Sequence, residues 1–150
     1  MKLEDYQASQ KTYIVAEIGQ AHDGSIGILH SFIRAAAKTG VDAVKFQVHI
    51  ADAESSSLEP FRVKFSSVDA TRFDYWKRME LTFDQWVEVK RICDDCNVEF
   101  LATPFSNAAV ELLEKVGVER YKVGSGDASN LLLLEKMART GKEIILSTGL

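Results

Sequence analysis

The segment Tyr121-Lys122-Val123-Gly124-Ser125-Gly126-Asp127 places an ammonium group at the end of what reads as a buried strand, then a hydroxyl between two glycines, then a carboxylate. An ammonium at a buried strand end is costly unless an anion meets it. The glycines flanking Ser125 let backbone N–H groups and the hydroxyl approach a ligand closely. The segment reads as an anion cradle with an acid, Asp127, beside it, suited to a phosphorylated or carboxylated metabolite.

Other short apolar runs end in polar side chains too. Glu17 closes the run 13–18, Thr103 follows the run 98–102, and Ser147 closes the run 143–147. In the run 42–48 the two-residue period of a strand puts Ala43, Lys45 and Gln47 on one face. Each of these residues has a structural alternative. Glu17 can pair with Lys45, Lys45 can snorkel to solvent, and Thr103 can serve the backbone before Pro104. Ser125 can be a turn residue and Ser147 a helix cap. Their convergence on one rim favours a small, multiply anionic ligand held by ammonium groups and hydroxyls. His22 and His49 fall near the same rim, whereas His30 lies in a helix as a surface or packing residue. No histidine spacing marks a metal site.

Five strand-like runs, the fourth at 119–123, must position these groups, and helical patterns alternate with them. The helices are predicted over 25–39, 82–96, 107–116 and 131–140, with Thr82 and Gln85 at the ends of a capping box. Gly40, Gly117 and Gly141 each stop a helix two residues before a strand resumes. This alternation predicts a parallel sheet with right-handed crossovers. Residues 50–81 break the pattern as a long insertion rich in serine and aromatic residues, read as functional or lid-like.

Two architectures fit: an open doubly wound sheet, or part of a (β/α)8 barrel. The first turn, Gly19-Gln20-Ala21-His22-Asp23-Gly24, lacks the dinucleotide-binding glycine fingerprint. Polar residues at successive strand ends are what a barrel rim predicts. A full barrel needs about 250 residues and eight strands. The expectation is that residues 1–150 form the first five strands of one, with the remaining strands and any further domain outside this chain.

The chain has 150 residues and a net charge of −4, which disfavours nucleic acid as a partner, so any anion must be held by local cations. No apolar run approaches the ~18 residues of a membrane span. Residues 1–11 are polar and unlike a secretory signal, so a cytoplasmic location is expected. Cys93-Asp94-Asp95-Cys96 lies at a helix end with no second Cys/His pair and reads as two reduced thiols.

Five motifs then resemble one family, in order and in register: Tyr13-Ile14-Val15-Ala16-Glu17-Ile18-Gly19, Asp42-Ala43-Val44-Lys45-Phe46-Gln47, Phe100-Leu101-Ala102-Thr103-Pro104-Phe105, Tyr121-Lys122-Val123-Gly124-Ser125-Gly126 and Ile144-Ile145-Leu146-Ser147-Thr148-Gly149. They are similar to the sialic acid synthases, which include the N-acetylneuraminate, legionaminate and pseudaminate synthases and their spore-coat polysaccharide relatives. The resemblance implies a TIM barrel that condenses phosphoenolpyruvate with an N-acylated hexosamine such as N-acetylmannosamine, giving a nine-carbon 2-keto sugar acid and phosphate.

The resemblance also implies roles. Lys45 and Thr103 would hold the phosphoenolpyruvate carboxylate, and Lys122, Ser125 and Ser147 its phosphate. Gln47 would approach the sugar or the metal, Glu17 would orient water or the metal shell, and Asp127 would contact the sugar and take part in proton transfer. A divalent cation (Mn2+ or Mg2+) bound by ligands outside this chain, and a homodimer of the full-length protein, are implied too. The 1–150 piece alone is expected to be inactive. The chain departs from the pattern twice: Asp127 stands where the family commonly has Glu, and Ala21 where it often has Asn. The alternatives are a related 3-deoxy-sugar-acid synthase acting on a sugar phosphate, or a non-catalytic half-barrel that binds anions.

Overall fold

The computed structural model describes residues 11–149. Of the N-terminal stretch read as lacking a signal, residues 1–10 lie outside them. Five parallel strands run β1 (Val15–Gly19), β2 (Ala43–Val48), β3 (Glu99–Pro104), β4 (Arg120–Val123) and β5 (Glu143–Leu146). They stand side by side in sequence order. A doubly wound sheet reverses its order at a switch point, and a barrel does not. The order therefore excludes the doubly wound alternative.

Four crossover helices cover one face: α1 (Ile26–Ala37), α4 (Phe83–Asp95), α5 (Asn107–Val116) and α6 (Leu131–Ala138). Against them pack Val44, Phe46, Val48, Phe100, Ala102, Tyr121 and Val123, the alternate residues of β2, β3 and β4. That packing leaves Lys45, Gln47, Leu101, Thr103 and Lys122 on the opposite face. Burial on the helix side thus fixes which side chains the rim receives, because a one-residue slip would invert the set. At the far end of the strands Arg120, nearly fully buried, bridges Glu99 at 2.6 Å and Glu143 at 3.2 Å.

Local signals set the helix ends. Thr82 and Gln85 form the expected capping box of α4. Gly117 ends α5 in the left-handed conformation (φ 86°), which glycine adopts without Cβ strain. Boundaries differ from expectation by one or two residues: β1 begins at Val15, β3 runs on to Pro104, and α6 ends at Ala138.

The insertion contains two helices, α2 (Ala51–Glu54) and α3 (Arg72–Met79). Thr71 and Asp74 close a reciprocal capping box on α3. Arg78 clasps Asp69 at 2.7 Å and Asp23 at 2.5 Å, tying the insertion to the first βα turn. The Arg78 guanidinium holds the Asp69 carboxyl below its usual range.

Candidate functional site

Glu17 and Lys45 occupy directly paired positions on β1 and β2, and their side chains form an ion pair. The structural alternative for Glu17 is therefore realised. It does not exhaust the charge at the rim, because Lys122 shares the same field. Burial pushes the Lys122 ammonium pKa down, Lys45 pushes it further, and Glu17 opposes them. Two ammonium groups against one carboxylate leave an uncompensated positive charge, the condition an anionic ligand relieves. Lys122 Nζ donates to its neighbour's carbonyl, Val123 O, at 2.8 Å. The backbone N–H of Ser147 donates to the same oxygen at 3.1 Å, so β5 delivers Ser147 next to Lys122.

Gln47 and Thr103 are register partners on β2 and β3. Thr103 is buried, and its hydroxyl has no hydrogen-bond partner among the described residues. It does not serve the backbone before Pro104, so that structural alternative fails. Ser125 opens a 3-10 turn and Asp127 ends it, the turn following β4 directly.

Asp127 stands on the insertion side of the rim. With Gln47, His49, Glu54, Trp76 and Phe105 it lines a cavity of about 460 Å3. The His49 ring lies flat between Trp76, with centroids 3.8 Å apart, and Phe105, at 4.2 Å. Its Nδ1 meets Glu54 Oε1 at 2.5 Å, and its Nε2 lies 3.4 Å from Gln47 Oε1. His22 is buried beside it. Its Nδ1 accepts from the Gly24 N–H at 3.1 Å, which leaves the proton on Nε2, and burial pushes its pKa down.

The sequence reading placed His22 and His49 near the rim but did not find Glu54, Trp76 or Phe105 as site residues. The Thr71-x-x-Asp74 cap was a legible signal for the helix that carries Trp76. Among the described residues no cluster of three or more His, Cys, Asp or Glu could hold a metal. Cys93 and Cys96 are free, and burial pushes the Cys93 thiol up to about 12, so it is an unreactive packing residue. No helix among the described residues is long and apolar enough to cross a membrane.

Sheet order defines a partial β/α barrel with a polar rim, carrying Lys45, Thr103 and Lys122, at the C-terminal ends of its strands. The chain belongs to the NeuB family, which it matches over residues 32–150. It is 35% identical over 144 residues to N,N'-diacetyllegionaminic acid synthase of Campylobacter jejuni, covering 94% of this chain and 43% of that protein. It is 33% identical over 140 residues to human N-acetylneuraminate-9-phosphate synthase, covering 92% and 39%. The crystal structure of N-acetylneuraminic acid (sialic acid) synthetase from Leptospira borgpetersenii in complex with citrate matches with a TM-score of 0.74 and 28% identity, over 91% of this chain and 44% of that one. The sheet is accordingly the first five strands of a TIM barrel, and the chain spans about two-fifths of the length of these curated relatives.

Proposed function

We propose that this chain supplies the phosphoenolpyruvate-binding part of a sialic-acid-type synthase, which joins phosphoenolpyruvate to an N-acylated hexosamine. The observation that carries the reading is that Lys45 and Lys122 share one field, with Glu17 as the opposing carboxylate, on a rim where the Thr103 hydroxyl has no partner among the described residues. Phosphoenolpyruvate carries its carboxylate and its phosphate on one carbon, C2, so its two anionic groups diverge toward ammonium groups on β2 and β4, with Thr103 of the intervening β3 between them.

In this reading Lys45 and Thr103 hold the carboxylate, and Lys122, Ser125 and Ser147 hold the phosphate. Lys122 exchanges the Val123 carbonyl for a phosphate oxygen. Gln47 and Asp127 face the sugar across the cavity they share. C3 of phosphoenolpyruvate forms the new bond to the sugar's aldehyde carbon, and the aldehyde oxygen takes a proton from Asp127. Water adds to the cationic C2 and gives its proton toward Glu17. The C2–O bond to phosphate then breaks as the C2 hydroxyl passes its remaining proton to the departing phosphate, leaving the 2-keto acid and inorganic phosphate.

The divalent cation implied by the resemblance does not fit the described residues on their own, and no step here runs through it. The two free cysteines support a reducing, cytoplasmic setting. The homodimer belongs to the same reading and is checked by sedimentation of the full-length polypeptide.

The test is turnover by the full-length polypeptide with phosphoenolpyruvate and N-acetylmannosamine, read as phosphate release with equimolar 2-keto acid. Turnover with arabinose 5-phosphate instead would move the assignment to the sugar-phosphate synthases. Phosphoenolpyruvate binding without turnover of any aldehyde sugar would make the rim a non-catalytic anion site.

A further inference from the structure

His49 does more than fill space between two aromatic rings. It is the first residue after β2, so a short backbone fixes it relative to Gln47. Its ring joins two elements far apart in sequence, Trp76 on α3 and Phe105 after β3, within 14° and 10° of coplanarity. Glu54 reaches it from α2, which is only four residues long and could not persist alone. Both partners are nearly withdrawn from water, with side-chain exposures of 4% and 8%. Burying a carboxylate and an imidazole together is a poor way to gain stability, because an apolar pair of the same volume does as well.

The two ring nitrogens face different things. Nδ1 is taken by Glu54, and Nε2 faces the side-chain oxygen of Gln47. The other end of that amide lies toward β1: a Cβ added at Gly19 would meet Gln47 Nε2 at 3.6 Å and Glu17 Oε1 at 3.3 Å. The Gln47 amide therefore spans from the His49 ring to the Glu17 side of the rim. Its oxygen faces the His49 ring, and its NH2 faces the Gly19 and Glu17 end of β1.

We infer that Glu54 and His49 are positioning residues that hold Gln47 in register, so that its amide NH2 is presented to an oxygen of the aldehyde-bearing substrate. A glutamine amide can flip end for end at little cost, and each flip exchanges a donor for an acceptor. With a proton on each ring nitrogen, His49 donates from Nδ1 to Glu54 and from Nε2 to the Gln47 oxygen, which selects the orientation with the NH2 turned away from the ring, and the Trp76–Phe105 sandwich prevents the imidazole from turning away. Because α2 and α3 both belong to the insertion, a correctly folded insertion becomes a condition for an oriented Gln47. This inference rests on the sugar-acid synthase reading for its substrate but not for its geometry.

The test uses Glu54→Gln in the full-length polypeptide. In glutamine-labelled protein, the side-chain amide protons of Gln47 (assigned by their loss in Gln47→Ala) should give separate, slowly exchanging signals. These should collapse toward solvent-averaged positions in Glu54→Gln. In kinetics, the same variant should lose about tenfold in kcat/KM for the sugar, the usual effect of removing a partner behind a contacting group. The KM for phosphoenolpyruvate should stay within about twofold.

Unchanged Gln47 signals in the variant would overturn the inference whatever the kinetics do. Equal losses toward both substrates, with a lowered unfolding temperature, would also overturn it and make the pair a brace for the insertion. If the wild-type polypeptide turns over no aldehyde sugar, the proposed function fails, and the Gln47 signals alone decide whether Glu54 and His49 position it.

Discussion

Glu17 and Lys45 face each other across the β1–β2 pairing, yet the pair is lopsided: the Glu17 side chain is 47% exposed and that of Lys45 only 13%. The carboxylate end is open to water and screened, while the ammonium end looks inward toward Lys122. An exposed ion pair contributes little to stability. The partnership of these two residues is better understood as holding the rim's charge until a ligand replaces it.

Lys122→Ala should weaken phosphoenolpyruvate binding by about 1.5–3 kcal/mol, roughly 10- to 100-fold in Kd, as for loss of a charge-assisted hydrogen bond. Sugar binding should change little. Calorimetry with each ligand reads the two effects separately, and equal weakening would remove Lys122 from the phosphate site.

The lowered pKa of Lys122 fixes the sign of a pH dependence. In the free protein the group loses its proton below the ordinary lysine range, and a bound phosphate restores that proton by favouring the charged form. Binding therefore takes up a proton at alkaline pH. Affinity for phosphoenolpyruvate should fall as pH rises through the free-state value, and Lys122→Arg should flatten the fall. Titrations at rising pH check this; a flat wild-type curve would count against the shared field of Lys45 and Lys122.

Glu17→Gln should leave the fold almost unchanged, by under about 1 kcal/mol, because the pair is exposed on the Glu17 side. With less negative charge at the rim, phosphoenolpyruvate should bind as well or more tightly. Turnover should drop by about 10²-fold if Glu17 receives the water proton. Lower kcat with an unchanged or smaller KM for phosphoenolpyruvate is the pattern to look for.

Gly24→Ala should separate the insertion from the first turn. Gly24 has φ 76°, and an added Cβ would collide with the Arg78 carbonyl oxygen, which belongs to rigid helical backbone. The strain is about 1–3 kcal/mol. Faster proteolysis within residues 50–81, with sheet amides still protected from exchange, is the expected outcome.

Much of the fold was legible because its signals are local. Gly117 ends α5 as read, Thr82 and Gln85 cap α4 as read, and strand parity correctly put Lys45 and Gln47 on the face away from the helices. The meeting of Lys45 with Lys122 was legible only as a shared rim, since their proximity depends on sheet order. The His49 stack was not legible: Trp76 and Phe105 reach it from segments with no sequence relation to it. Periodicity inside the insertion was masked by its serines and charges, so α2 and α3 went unread despite the Thr71–Asp74 cap.

The two walls of the cavity are held by different forces. Gln47 stands on a sheet backed by buried apolar residues, whereas the insertion is braced internally by Lys77 with Asp52 and Arg72 with Glu59, and joined to the barrel by Arg78 with Asp23 and by the Trp76–His49 stack. Salt screens exposed charge pairs but, with strongly hydrated anions, strengthens apolar burial. The same ionic change thus firms the barrel side and slackens the insertion side. Stability of the insertion is therefore expected to depend on ionic strength more than stability of the sheet does.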